Sequence, residues 1–303
     1  MAESTKTLDI DSHAIEIGHA DKLLFPDAGI TKLDLAEYYQ RIGDIAIDHY
    51  RDRALTMHRF PDGIGEDGFF QKAIGGHFPD WIDRATLPKS GGKVTYVVAN
   101  SPATLVYLAD QGCITPHLAL ARTDRPKHPD RMIFDLDPSD DDFGKVQDTA
   151  HHLHRALDEL DLPSFVQTTG SRGLHVVVPL DRSAEFDTVR EFTHALCRQL
   201  ADGHPKLMTV EQRKNKRGDR VFLDDLRNAY GQTSVGPYAV RAKPGAPVAT
   251  PLHWREAGDG DLDPQKYRID NLFRRLAQTD DPWADIDDHA VALPDRDHWP
   301  TAD

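Results

Sequence analysis

The sequence predicts a mixed α/β (α+β) fold, and three observations carry that expectation. Apolar residues recur at helical spacing in several stretches, as in Leu33, Leu35, Ala36, Tyr38 and Tyr39. Short apolar runs such as Val176-Val177-Val178 lie between those stretches and have the length of strands. With 303 residues, 39% of them hydrophobic, the chain is long enough for a substantial core, as one large domain or as two lobes.

Residues 1 to 18 are polar without a clear period and read as a flexible amino terminus, so ordered structure is expected to begin near Asp21–Pro26. Thr31 has the chemistry of an N-cap for a helix reaching His49. A strand is expected at Ala54–Phe60, stopped by Pro61-Asp62-Gly63, and another at Val94–Val98. Helices are expected at Pro102–Gln111, Gly144–Leu160 and Phe186–Ala201. Strands fit Arg131–Asp137, Ser164–Gln167, Leu174–Leu180, Val221–Asp224 and Tyr238–Arg241. The Lys243–Pro251 stretch, rich in Pro and Gly, marks a turn region, and a last helix is expected around Asp270–Ala277. Pro126 and Pro129 suggest a hinge at 122–130 within a single domain of residues 19–290, dividing lobes at 19–125 and 126–290. Residues 291–303 read as a loose tail.

No run of about 18 apolar residues exists, and Met1–Lys6 lack the apolar stretch of a secretory signal, so no membrane association and a cytoplasmic location are expected. Cys113 and Cys197 have no metal-type spacing and read as buried free thiols. The formal net charge of −14 speaks against a phosphate-rich partner at first sight. Between Lys206 and Arg220, however, six basic residues face two acidic ones, a local surplus of four positive charges, so an acidic chain still owns a basic strip.

The richest segment is Arg131–Asp137. Asp135 and Asp137 leave the same face of a strand, roughly 6.5–7 Å apart at their backbones, and repel one another unless a cation lies between them. Mg²⁺ and Mn²⁺ take oxygen ligands, and paired ions are the usual device for in-line phosphoryl transfer. Taken alone, the pair reads equally well as a strand end running into the acidic turn Asp140-Asp141-Asp142. Asp224 closes another strand and would complete a three-carboxylate site if that strand lay beside the first; Asp225 should face the other way. Thr168–His175 holds Gly170 and Gly173, which permit the backbone of an anion-cradling loop, with Thr169, Ser171, Arg172 and His175 as polar contacts. A plain Gly-containing β-turn is the alternative. Arg227 and Arg241 can each clamp a phosphate. Phe69 and Phe70 precede Lys72 and suit one ring in the core and one stacked on a base. Lys22 and Lys32 bracket a turn and can share one terminal phosphate. His151, His152 and His154 read as a helix face rather than a metal site.

In order along the chain, Phe134-Asp135-Leu136-Asp137-Pro138, Thr169-Gly170-Ser171-Arg172-Gly173-Leu174-His175 and Phe222-Leu223-Asp224-Asp225-Leu226-Arg227-Asn228 closely resemble the motifs of the polymerase domain of bacterial and archaeal end-joining DNA ligases. That domain belongs to the archaeo-eukaryotic primase superfamily, and the likeness spans roughly residues 15 to 290. It implies a primase-polymerase core with an RRM-like antiparallel sheet and an amino-terminal αβ lobe. It implies a DNA-directed nucleotidyltransferase of non-homologous end joining, with two Mn²⁺ or Mg²⁺ ions held by Asp135, Asp137 and Asp224. Nucleotide contacts fall on Phe70, His117, Thr169, Ser171, Arg172, His175, Arg227 and Arg241. DNA contacts fall on Lys22, Lys32, Arg53, Phe69, Lys72, Lys214, Lys216 and Arg217, with Lys22 and Lys32 matching a pocket for a downstream 5′-phosphate. The implied partners are gapped, 3′-protruding or broken DNA ends, NTP or dNTP, Ku, and a DNA ligase on a separate chain or a removed domain, with a nucleoid-associated location. Departures include Asp225 in place of a usual aromatic and His19 where an asparagine is common. The rival readings are a de novo primase of the same superfamily and a non-catalytic DNA-end-bridging module.

Overall fold

The computed structural model describes residues 4–300. Residues 4–124, with Thr233–Ala249 and Tyr267–Thr279, cluster as one compact unit; Arg125–Gln232, Thr250–Lys266 and residues 280–300 cluster as a second.

The first unit opens with an antiparallel hairpin, β1 (Lys6–Ile10) and β2 (His13–Ile17), followed by a small pair, β3 (Leu23–Phe25) and β4 (Ile30–Thr31). Helix α1 (Lys32–Tyr50) starts where the cap chemistry places it. Thr31 Oγ1 accepts a hydrogen bond from the Asp34 amide at 3.1 Å, and Asp34 Oδ2 accepts from the Thr31 amide at 2.7 Å. Strands β5 (Arg53–Arg59), β6 (Phe69–Gln71), β7 (Arg84–Lys89), β8 (Gly92–Val98) and β9 (Cys113–Arg122), with α2 (Pro102–Asp110) between the last two, build most of the main sheet. β15 (Thr233–Val235) completes it in the order β15-β9-β5-β8-β7, with β6 beside β5 and every pairing antiparallel. The core gathers Leu35, Tyr39 and Ile42 of α1, Val106 of α2 and Leu55 and Met57 of β5, together with Leu272 of the short helix α6 (Leu272–Leu276).

Two expectations for this unit are corrected. Residues 6–17, read as part of a flexible terminus, form the β1–β2 hairpin, because Asp11 and Ser12 take positive φ (50° and 64°) at its turn and Ile15 and Ile17 are buried. Tyr238–Arg241, read as a strand, is a turn: Tyr238 has φ of 62°, the Ala239 amide donates to Gly236 O, and only an isolated bridge links Val240 to Val248. Residues 1–3 and 301–303, which belong to the expected terminal tails, lie outside the described residues.

In the second unit, β10 (Arg131–Asp137) takes the bounds expected of it and lies centrally in a sheet ordered β13-β14-β10-β12-β11-β16. Its neighbours are β12 (Leu174–Pro179) and β14 (Val221–Asp224), both antiparallel; β11 (Phe165–Thr168) and β16 (Pro251–Leu252) extend one side and β13 (Met208–Thr209), parallel to β14, the other. Helices α3 (Phe143–Asp158) and α4 (Phe186–Gly203) bury stripes through Val146, Ala150 and Leu153 and through Val189, Phe192 and Leu196; a short α5 (Trp254–Ala257) follows β16. The expected loose tail is packed over its described part. The Val291 amide donates to Pro179 O, and Trp299 meets Phe192 edge-on at 5.5 Å. Cys113 and Cys197 are buried and free, as expected. Among the described residues no helix is long and apolar enough to cross a membrane.

Candidate active site

Sheet register brings the three acids together. Asp135 on β10 lies opposite Asp224 on β14 and opposite His175 on β12, so all three side chains leave one face of the sheet. Asp137, two residues on, shares that face, whereas Phe134 and Leu136 point the other way into the core. One oxygen from each of Asp135, Asp137 and Asp224 lies within 4.8 Å of the others, so the group can hold a metal ion.

The electrostatics suit a divalent cation. Burial would push Asp135 up, but the neighbouring His175 and Arg227 outweigh it and hold the carboxyl down to about 2. His175 Nε2 lies 3.3 Å from Asp135 Oδ1, and Arg227 Nε donates to Oδ2 at 3.4 Å. Asp137 is pushed up to about 6 by burial and then by the charges of Asp135 and Asp224. Burial also raises Asp224, against the Leu226 amide that donates to its Oδ1 at 2.9 Å. Two carboxyls held above their usual range beside an ionised third are a donor set that a hard divalent ion would relieve.

Asn228, which sequence reasoning missed, anchors the turn that carries Arg227. Its carboxamide accepts from the Ile133 amide at 2.9 Å and donates to Ile133 O at 2.6 Å, continuing the β14 edge of β10 with a side chain. Asp225 faces away, as expected, and pairs with His194 of α4 at 2.9 Å.

The β11–β12 loop lies at the end of β10 that carries Asp137. Gly173 is required there, because a Cβ would sit 2.0 Å from Leu136 O. Thr169 Oγ1 donates to Gly173 O at 3.0 Å and accepts from the amides of Ser171 and Gly173, so it braces the loop, where a nucleotide contact was expected. Arg172 is more than half exposed and donates to Asp140 O at 2.8 Å.

The basic strip divides. Lys214 and Lys216 are exposed on a 3-10 turn, but Arg217 is buried, with its guanidinium 3.7 Å over Phe222 and bonds to Glu211 O and Gln212 O. That geometry makes Arg217 a brace for the strip, where a DNA contact was expected.

In the first unit, Phe70 lies opposite His58 across β5–β6 and stacks on it (4.1 Å between centroids, 11° between planes), with His117 of β9 edge-on at 5.4 Å. Phe70 is 60% and Phe69 47% exposed, so neither enters the core. Burial, and then the charge of Arg241, lower the His58 pKa, which places Arg241 near this aromatic group. Lys72, two residues after Phe70, is exposed. Arg53 is buried and donates to His49 O and Ala119 O, a structural role where a DNA contact was expected. Lys22 and Lys32 have adjoining backbones, the Lys32 amide donating to Lys22 O, but their ammonium groups go to different acids: Lys22 to Asp62 at 2.6 Å and Lys32, nearly buried, to Asp110 at 3.1 Å. The helical histidines are half-buried as expected, His154 stacked on Trp254 and His152 against His204.

A mixed α/β chain whose antiparallel sheet gathers three acids, a cationic arginine and a glycine-bearing loop at one strand end has the layout of a metal-dependent nucleotidyl-transfer domain. The model of the LigD primase-polymerase domain matches residues 31–283, and the chain belongs to that family. The multifunctional non-homologous end joining protein LigD of Mycolicibacterium smegmatis is 31% identical over 90% of the chain, and that of Pseudomonas aeruginosa 32% over 89%. The chain spans about a third of the length of these relatives, 36% and 32% respectively. The polymerase domain of Mycobacterium tuberculosis ligase D, solved in complex with DNA, superimposes with a TM-score of 0.84 at 28% identity, covering 89% of this chain and 97% of that one.

Proposed function

We propose that the chain extends primer 3′ ends with ribo- or deoxyribonucleotides during end joining, filling gaps and repairing broken ends. The observation that carries this is the convergence of Asp135, Asp137 and Asp224 on one face, with oxygens within 4.8 Å of one another. These residues would hold two Mn²⁺ or Mg²⁺ ions, which when bound supply Lewis-acid activation of the attacking hydroxyl and neutralise charge on the leaving pyrophosphate.

The chain's own residues supply the rest. Asp135 stays ionised against His175 and Arg227, so it offers a charged ligand across the working pH range. Arg227, Arg172, Ser171 and His175 present donors to a triphosphate at the strand end, while Thr169 holds the loop in shape. In the first unit Phe70, with His117 and Arg241, offers a stacking face and charge for a nucleotide, and Phe69, Lys72, Lys214 and Lys216 provide DNA contacts. The DNA complex of the M. tuberculosis domain supports a DNA partner. Ku and a ligase are the proposed collaborators, on the strength of the LigD relatives. Recognition of a downstream 5′-phosphate would fall on Lys22, which must first exchange Asp62 for the phosphate.

The test incubates the chain with labelled ribonucleotides, Mn²⁺ and a gapped duplex carrying or lacking the 5′-phosphate. Template-directed addition stimulated by the phosphate is expected. Synthesis only without a primer would favour a de novo primase, and binding without any addition would leave a bridging module.

A further inference from the structure

The acidic row continues one strand beyond His175 to a residue outside the set expected from sequence. Gln167 on β11 lies opposite His175, which lies opposite Asp135, so the three side chains share the site's face across adjacent antiparallel pairs. Gln167 is 1% exposed, and its Nε2 stands 3.2 Å from His175 Nδ1, while His175 Nε2 stands 3.3 Å from Asp135 Oδ1. Gln167 Oε1 is buried with no hydrogen-bond partner among the described residues. A dry carboxamide oxygen is costly in a strand whose neighbour, Val166, is buried and apolar, and such a group calls for a reason to be there.

We propose that Gln167 is a positioning residue that fixes the tautomer of His175. A singly protonated imidazole has one donor and one acceptor nitrogen. The carboxamide N–H meets Nδ1 and can be accepted only by its lone pair, so the ring hydrogen resides on Nε2. His175 thereby always turns a donor toward Asp135 and toward any oxyanion brought beside it. The other tautomer would set a lone pair against the Asp135 carboxylate. The kinetic consequence rests on the proposed nucleotide transfer; the tautomer itself does not.

The test records long-range ¹⁵N–¹H correlation spectra of the metal-free chain, with His175→Asn identifying the signal of this ring among the 16 histidines. The expected result is a bare Nδ1 and a protonated Nε2. Gln167→Glu, which presents only an acceptor, should move a hydrogen onto Nδ1, and Gln167→Met should give a mixture of tautomers. In the addition assay Gln167→Met should raise the nucleotide KM about tenfold, the effect of one lost hydrogen bond, and change kcat less. A wild-type ring protonated on Nδ1, or an unchanged tautomer in Gln167→Glu, would overturn the proposal. If the variants do not fold, the wild-type spectrum decides alone. A chain that adds no nucleotide refutes the proposed function and leaves the spectrum to judge this inference.

Discussion

Asp137→Asn should remove nucleotide addition and yet stabilise the metal-free protein. Asp137 sits at about 6 in the folded chain, roughly two units above an ordinary carboxyl, because burial and the charges of Asp135 and Asp224 oppose its ionisation. At about 1.4 kcal/mol per unit, keeping it ionised at pH 7.5 costs folding about 3 kcal/mol as an upper bound. The carboxyl is only half-buried, and solvent screening reduces this to about 1–2 kcal/mol. A raised folded-state pKa gives stability that is full below the unfolded value and is lost as pH rises through about 6. The advantage of asparagine should therefore be present at pH 7.5 and largely gone at pH 4.5. Calorimetric melting in EDTA reads it as a Tm rise of roughly 2–4 °C per kcal/mol. A variant that melts lower than wild type, or whose gain is the same at both pH values, would refute the reasoning.

Lys32→Met should cost about 3 kcal/mol in urea unfolding, because it takes the counter-charge from the nearly buried Asp110 and leaves it the neutral donors of the Gly18 amide and the Gln111 carboxamide; unchanged stability with weakened DNA binding would assign Lys32 to phosphate instead. Gly173→Ala drives a Cβ to 2.0 Å from Leu136 O, so the loop must shift, and loss of nucleotide addition with destabilisation of about 3 kcal/mol is expected from activity and melting measurements. Phe70→Ala should leave the Tm nearly unchanged, since the ring is 60% exposed, and should raise the nucleotide KM roughly tenfold or more through lost stacking, as steady-state kinetics would show.

Much of this was legible in the chain. The Thr31 cap, the bounds of β10 and the same-face placement of Asp135 and Asp137 follow from local chemistry alone. The position of Asp224 depends on strand order and register, to which the sequence of neither strand is sensitive; the Asp135–Asp224 pairing exists only in the folded sheet. The β1–β2 hairpin was hidden because its turn uses Asp11-Ser12 rather than the Asn-Gly that signals such turns. β9 was hidden because Pro116 interrupts it, although the strand pairs on both sides. The family resemblance put Arg53, Arg217 and Lys32 among the DNA contacts, but long side chains can fold inward onto carbonyls and acids, and these three do. A polar residue within an apolar strand was the available signal for Gln167, and no comparable signal marked Asn228 as an extension of the sheet edge.

The decisive measurement is anomalous diffraction from crystals grown with Mn²⁺ and a non-hydrolysable nucleotide. Manganese peaks within ligand reach of Asp135, Asp137 and Asp224, lost in Asp224→Asn, are expected. A nucleotide bound with no peak at those carboxylates, or peaks that persist unchanged in the variant, would contradict the site.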